Sequence, residues 1–278
     1  AYLFNYYPVE WMAAFLDKEP ESRKEKAVSI AKGAGFKIQP VDINYSGRTW
    51  GILNEDTLVQ PLSAIKGLGD KAIDQILEHR PFKTVDDFLF HDKITYSKLN
   101  KKALDVLCRS GAMDSLIDDR FTGAKHFWSA VAVDRPRKLD KFIENINKYE
   151  DEGDFTEFEK IEYLVGLTGM YPFYHVLKDS VAEKLSEYCV PALSEFDKDL
   201  QVAWFVPREK IEKKTKNGKP YWILRCIDPG GITSIKCWGV RPDKDKIEFN
   251  KPYMAKLSYS EDWGFSAKAI GKTFKLLA

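Results

Sequence analysis

Apolar residues at helical spacing open the chain. In residues 8–17, "PVEWMAAFLD", Trp11, Ala14 and Phe15 share one face and Pro8 suits a first helical turn, so a helix is predicted. "ESRKEKAVSIAKGAGF" predicts a second helix that stops near Gly33 and Gly35. "KIQPVDINYSG" is extended and turn-rich, and "TWGILNEDTLVQPL" has the pattern of two short strands about an Asn-Glu-Asp turn. From residue 62 to 116 the period becomes that of short helices. Residues 70–80 are apolar at Ile73, Ile76 and Leu77 and end at Pro81. Thr84, with Asp87 three residues on, gives an approximate capping box. "NKKALDVLCRSG" has Asn100 as N-cap and Gly111 as its stop.

Residues 118–185 are helical and strongly charged. Residues 150–162 hold seven acids and one lysine, the composition of a solvated face or a mobile loop rather than of a docking site. After "VPALSEF" the period changes again. "WFVPREKIEKKTKNGKPYWILRCID" is two strand-like runs about Asn217-Gly218, a pair that favours a type I′ turn. "GITSIKCWGV" and "PYMAKLSYSEDWGFSAKAI" supply further strands, so five short strands predict a small antiparallel barrel. The expected fold class is multidomain α+β: a domain of short helices followed by a small antiparallel β-barrel.

Composition narrows the function classes. The 278 residues suit two or three modest domains, and the net charge of +1 leaves no global basic field. Any nucleic-acid site must therefore be a local patch. The apolar runs fall far short of the roughly 20 residues that span a bilayer. "AYLFNYYPVEW" has no basic n-region or small-residue cleavage site, and it reads like the middle of a folded region, as in a fragment or a processed chain. Cys108, Cys189, Cys226 and Cys237 form no CxxC pair, and His79, His91, His126 and His175 form no HExxH pattern. A reduced, cytoplasmic setting is expected.

Two stretches carry chemistry. In "AIKGLGDKA", Lys66-Gly67-Leu68-Gly69 sits between apolar-periodic segments and is followed by Lys71 and Ala72, the spacing of a helix-hairpin-helix. Glycines let the backbone turn and approach a phosphate with no Cβ in the way. The first N–H groups of the next helix can then face that anion, with Leu68 tucked beneath and Lys66 and Lys71 adding charge. A bare turn between helices is the alternative; the periodicity, Ala72 and the two lysines favour DNA. Lys101 and Lys102 would begin a second, degenerate hairpin, or are ordinary solvated lysines. Residues 208–219 hold six basic residues against two glutamates, among them Lys213, Lys214, Lys216 and Lys219. Trp204, Phe205, Tyr221, Trp222 and later Trp238 flank them, as in barrels that stack single-stranded bases on rings. Some of these rings must instead fill the core, because strand neighbours point to opposite faces. Asp243-Lys244-Asp245 has the Asp-x-Asp form of a metal site, but its lysine-rich turn is the setting of a solvated loop. No Walker loop, Ser-His-Asp ordering or metal-ligand cluster occurs, so no catalytic residue and no metal site is expected.

The order of "AYLFNYYPVEWMAAFL", "GFKIQPVDIN", "LSAIKGLGDKAIDQILEHR", "PFKTVDDF" and "LNKKALDVLCRSGAMDSL" resembles the C-terminal part of bacterial C-family replicative DNA polymerases, the DNA polymerase III alpha subunits. The resemblance is strongest over residues 1–116. It implies a remnant of the polymerase fingers over 1–57, a helix-hairpin-helix DNA-binding domain over 58–117, a helical connector over 118–190 and an OB-fold-like domain over 191–278. It implies a grip on duplex DNA at residues 66–71 and a barrel near the single-stranded template. The palm, with its Mg2+-binding aspartates, would lie in a segment not present here, so this chain alone is expected to be inactive and to hold no cofactor. Its partners would be DNA and the rest of the polymerase, either one chain or a split partner. The clamp-binding peptide of the family begins with Gln, yet no Gln lies between Gln75 and Gln201, and "KHFWS" and "DFTEF" are poor substitutes. That departure counts against a sliding-clamp contact. Tyr171-Pro172 stands where the family has His-Pro, a divergence that would suit a phage or split polymerase. The alternative function is a free-standing, non-catalytic nucleic-acid-binding replication accessory factor.

Overall fold

The computed structural model describes residues 2–20 and 23–277, and of Tyr174, His175 and Asp179 only the backbone. The chain forms two compact units, residues 1–171 and 172–278.

The first unit begins with α1 (Tyr2–Tyr6), α2 (Pro8–Lys18) and α3 (Lys24–Gly33). Pro8 opens α2 where its missing N–H costs nothing, and Val9, Met12, Ala13 and Leu16 form the buried stripe. A small sheet follows, of β1 (Lys37–Gln39), β2 (Gly51–Asn54) and β3 (Thr57–Val59), in the order β1-β3-β2. Residues 70 onward give α4 (Asp70–His79), α5 (Val85–Leu89) and α6 (Lys101–Arg109). Ala72, Ile73, Gln75 and Ile76 are the buried face of α4, which stops just short of Pro81. Thr84 Oγ1 accepts from Asp87 N–H at 3.1 Å, and Asn100 Oδ1 accepts from Ala103 N–H at 3.0 Å, so both predicted caps are made. Gly111, at φ +75°, lets the chain turn off α6. Then come α7 (Ala124–Trp128), running into a π-helical turn over Ser129–Val133, α8 (Leu139–Lys148) and α9 (Glu157–Thr168). Thr156 and Glu159 form a full capping box at the start of α9. One core, from Val41 through Leu68, Ile73, Phe88, Leu104 and Leu107 to Phe127 and Phe142, joins residues 58–117 to the helices after them.

The acidic stretch 150–162 is more structured than its charge suggests. Lys160 pairs with Asp154 at 2.7 Å and Lys125 with Glu152 at 3.0 Å. Asp154 also accepts from the N–H groups of Ala124 and Phe155, so it starts α7 as well. His126, buried, accepts the Thr122 N–H at Nδ1 and donates from Nε2 to the Ile146 carbonyl. Both ring nitrogens are thereby committed to packing.

The second unit has α10 (Phe173–Val176) and α11 (Asp179–Glu187), then the strands β4 (Val202–Lys214), β5 (Pro220–Asp228), β6 (Gly231–Trp238), β7 (Tyr253–Lys256), β8 (Ser258–Ser260) and β9 (Gly264–Lys268). After a short helix, α12 (Ile270–Thr273), the chain ends in β10 (Phe274–Leu276). The sheet order is β10-β7-β4-β5-β6-β9-β8. Among the described strands of this sheet, β6 and β9 pair in parallel and the other neighbours antiparallel. β7 and β8 are separated by Leu257 alone, whose N–H donates to the Gln201 carbonyl at 2.8 Å. Because β7 pairs with β4 and β8 with β9, the sheet returns on itself through that residue. The result is an OB-fold-like, mostly antiparallel barrel, and the chain as a whole is α+β. Long β4 serves two partners, β7 through Phe205 and β5 from Val206 on, and a bulge between Pro207 and Glu209 bends it between them.

Three expectations need correction. The hairpin turn is not type I′: Gly218 has φ +75°, but Asn217 is not left-handed. Thr215 accepts from Gly218 N–H and donates its own N–H to Lys219, both at 2.9 Å, so the loop has three residues and needs one left-handed position. Trp222 does not face a groove. It is 1% exposed, packed with Phe205, Leu224 and Cys237. Pairing sets Trp222 opposite Cys237 on the inner face, so no base can reach its ring. Asp245, from the Asp-x-Asp stretch, is likewise not in a solvated loop but buried, accepting from the Arg241 backbone and guanidinium, each at 2.7 Å.

Trp222→Ala should therefore lower barrel stability by about 3–5 kcal/mol, as for other buried aromatics. Calorimetry of the full chain reads it as a lowered transition; an unchanged thermogram would return Trp222 to the surface.

Candidate nucleic-acid interface

The hairpin loop is built by what lies on either side of it. Ile65 and Leu68 are both buried, so Lys66 and Gly67 between them must turn outward. The turn needs φ +90° at Gly67, a region that only glycine enters without strain. Leu68 N–H donates to the Ile65 carbonyl at 3.1 Å and closes the loop. The element before it, in the stretch expected to hold short helices, is a single 3-10 turn, Leu62–Ala64. Gly69 differs from Gly67. Its φ is −77° and a Cβ there would meet nothing within 4 Å, so folding alone does not require glycine at 69.

Gly69 is the N-cap of α4 and has no side chain to cap it. Among the described residues, the N–H groups of Gly69, Asp70 and Lys71 meet no acceptor. They converge where a helix start favours an anion. The Lys66 N–H does not join them, because it donates to the Leu167 carbonyl at 2.8 Å. Lys66 and Lys71 are exposed and have no carboxylate partner among the described residues. Asp70 stands at the same helix start, where its charge would oppose a phosphate. Arg48 answers it: one guanidinium nitrogen bonds Asp70 at 2.6 Å and the other bonds Asp74. The hydrogen bond to Asp70 is the largest influence raising the Arg48 pKa. Arg48 was not singled out in the sequence, since nothing in the order of residues places position 48 beside 70.

The second lysine pair lands on the same surface. A Cβ on Gly67 would lie 3.5 Å from Lys102 Cε and 3.6 Å from Val106 Cγ1, so the first turn of α6 flanks the loop. Lys101 and Lys102 are exposed at that helix start. Asn100 already caps α6, so this second element offers side-chain charge more than free N–H groups.

On the barrel, strand register sets one row on the outer face: Lys213, Tyr221, Trp238 and Lys268 lie directly opposite one another across β4, β5, β6 and β9. Tyr221 and Trp238 stack with ring centroids 4.7 Å apart. Lys236 Nζ sits 5.0 Å from the ring of Trp263, which is 70% exposed. Lys214, Lys216 and Lys219 are exposed about the hairpin loop and, like Lys213, have no carboxylate partner among the described residues. Lys210, by contrast, is held by Glu212 at 2.7 Å and covers the buried Trp222. Lys268 was missed in the sequence because its place opposite Trp238 depends on a parallel pairing 30 residues away in the chain, and Trp263 because only the fold sets its ring beside Lys236.

Residues 35–122 match the family described as "Helix-hairpin-helix motif". The DNA polymerase III subunit alpha of Thermus aquaticus is 38% identical over 258 residues, which is 86% of this chain and 21% of that protein. This chain is a homologue of the bacterial DNA polymerase III alpha subunit. The Aquifex aeolicus subunit is 29% identical over 94% of this chain and 23% of its own length. That of Vibrio cholerae is 26% identical over 88% and 24%. The chain thus spans about a fifth to a quarter of the polymerase subunits it matches. The solved p204 HINb domain covers 34% of this chain and 50% of its own at a TM-score of 0.24 and 12% identity, too slight a likeness to bear on the fold. No described helix of this polymerase homologue is long and apolar enough to cross a membrane.

The conformational demand at Gly67 is testable by itself. Gly67→Ala should cost about 1–2 kcal/mol through the left-handed φ, lowering Tm by a few degrees, whereas Gly69→Ala should leave Tm unchanged. Equal melting of the two variants would mean that Gly67 is not under backbone constraint.

Proposed function

We propose that this chain is the DNA-binding portion of a C-family replicative DNA polymerase, holding duplex DNA at the hairpin and the single-stranded template along the barrel. The observation that carries the duplex reading is the start of α4. Three N–H groups without an acceptor stand beside lysines without an acid, under a glycine turn that brings backbone to the surface. Such a contact holds the phosphate backbone and reads no base. Arg48 keeps the Asp70 carboxylate from opposing that phosphate. The outer row of the barrel supports the single-strand reading, with the Tyr221 and Trp238 rings set between Lys213 and Lys268. Nucleotidyl transfer would belong to a palm outside this chain, which is where Mg2+ would act. The rest of the polymerase is then its principal protein partner, in the cytoplasm of a bacterium or of a phage-infected one. "KHFWS" and "DFTEF" match the family's clamp-binding peptide poorly, so this reading does not rest on a clamp contact. The four segments 1–57, 58–117, 118–190 and 191–278 are its proposed working divisions.

Gly69→Val separates a phosphate contact from a bare turn. The open space at Gly69 lets the fold survive, while the new side chain blocks approach to the α4 N–H groups. Duplex affinity should fall with Tm unchanged, as measured by anisotropy and thermal melting; unchanged affinity leaves the loop a turn.

For the barrel, changing Lys213, Lys214, Lys216 and Lys219 together to Glu should weaken single-strand binding more than duplex binding. Each lost phosphate contact should flatten the log–log salt slope by roughly 0.7. Trp238→Ala should lower single-strand affinity with little change in that slope. An unaltered single-strand isotherm for the lysine variant would assign this face to protein docking.

A further inference from the structure

The turn before α6 and the loop before α8 meet on one tyrosine. The guanidinium carbon of Arg135 lies 3.9 Å from the centroid of the Tyr96 ring, and that of Arg137 lies 4.7 Å from it. Arg135 also donates through Nη1 to the carbonyls of Leu99 and Tyr96, which pins its side chain under this turn. Two guanidinium groups on one ring repel each other, and an acid between them would be the ordinary remedy. Among the described residues neither has one. Residues 96–102 carry Lys98, Lys101 and Lys102, residues 135–138 carry Arg135, Arg137 and Lys138, and no acid occurs in either stretch. The adjacent Asp134 is turned to Lys148 at 3.3 Å and Lys141 at 3.5 Å. Burial, with a smaller push from the Arg137 charge, lowers the Arg135 pKa. Arg137, Lys98 and Lys101 are exposed.

The patch is continuous with the hairpin. Lys102 flanks Gly67 at one end, and its helix begins two residues after Leu99, the anchor of Arg135, at the other. An arginine laid flat on an aromatic ring keeps its outward N–H edge free for hydrogen bonding. Planar forks of this kind suit phosphate oxygens.

We propose that Arg135 and Arg137, gathered on Tyr96, form a second phosphate-binding point for duplex DNA, joined to the hairpin through Lys102. The inference rests on the duplex reading above and extends the contact beyond the matched motif at residues 35–122. Arg137 is the phosphate ligand; Arg135 is chiefly a positioning residue, because its Nη1 is committed to backbone carbonyls. Two points on one backbone would set the direction of the duplex across this unit, which a single hairpin contact does not.

The test uses the full chain and a labelled duplex titrated across a KCl series, with Arg137→Gln, Arg137→Lys, Lys98→Gln and, for the hairpin, the pair Lys66→Gln and Lys102→Gln. Arg137→Gln should flatten the log–log salt slope by about 0.9 and weaken binding roughly fivefold to tenfold near 0.1 M salt, the worth of one phosphate contact. Arg137→Lys should keep most of the slope. Melting should be unchanged, since the Arg137 side chain is exposed. Lys98→Gln gives an independent reading of the same patch and should also flatten the slope. Unchanged slope and affinity for both Arg137→Gln and Lys98→Gln, with a flattened slope in the hairpin pair, would overturn this second point and leave the hairpin reading standing. Absence of duplex binding by the unaltered chain would overturn both.

Discussion

The burial of Ile65 and Leu68 on either side of two exposed residues is the constraint from which the candidate interface follows. Two apolar side chains three positions apart both enter one core, and the chain between them has room only for a tight outward turn. That turn demands a left-handed residue, so position 67 is glycine. The same turn delivers Gly69 in an extended conformation, which starts α4 with no cap. Free N–H groups at the surface are therefore a consequence of core packing. The bond from Lys66 N–H to the Leu167 carbonyl ties the loop to the end of α9 and limits how far it can move.

Electrostatics around that helix start are arranged locally, as a net charge of only +1 requires. Acids that would face an approaching phosphate are engaged elsewhere: Asp70 and Asp74 by Arg48, Asp105 by Arg109 and the Trp128 indole, Asp134 by two lysines. The lysines beside the hairpin and the arginines on Tyr96 have no such partner among the described residues. A nearly neutral protein can present a strongly positive face in this way, because fields at exposed sites fade within about 10 Å at ordinary salt.

The barrel solves a different problem with the same economy of residues. Its aromatic strands must both fill a core and offer rings outside, and adjacent positions divide the work: Trp222 inward, Tyr221 inward's neighbour on the outer row with Trp238. The bulge in β4 lets one strand serve both β7 and β5, and the near-continuous run of β7 into β8 through Leu257 brings the two ends of the curled sheet together.

Much of this was legible in the residues alone. The helix starts at Pro8, Thr84 and Asn100, the glycine hairpin, the two strands about residues 54–57 and the change to β-structure near residue 200 depend on local chemistry, which acts within a few residues. The family resemblance was legible for the same reason, being an order of local motifs. Tertiary structure alone decided which tryptophan faces out, because strand alternation tells neighbours apart without saying which face is the core. It also decided that Asn217 needs no left-handed φ, since loop length depends on the register of both strands. The meetings of Arg48 with Asp70, of Gly67 with Lys102 and of Arg135 and Arg137 with Tyr96 join residues 22 to 41 positions apart. No periodicity encodes such pairs; they exist because one hydrophobic core draws their backbones together.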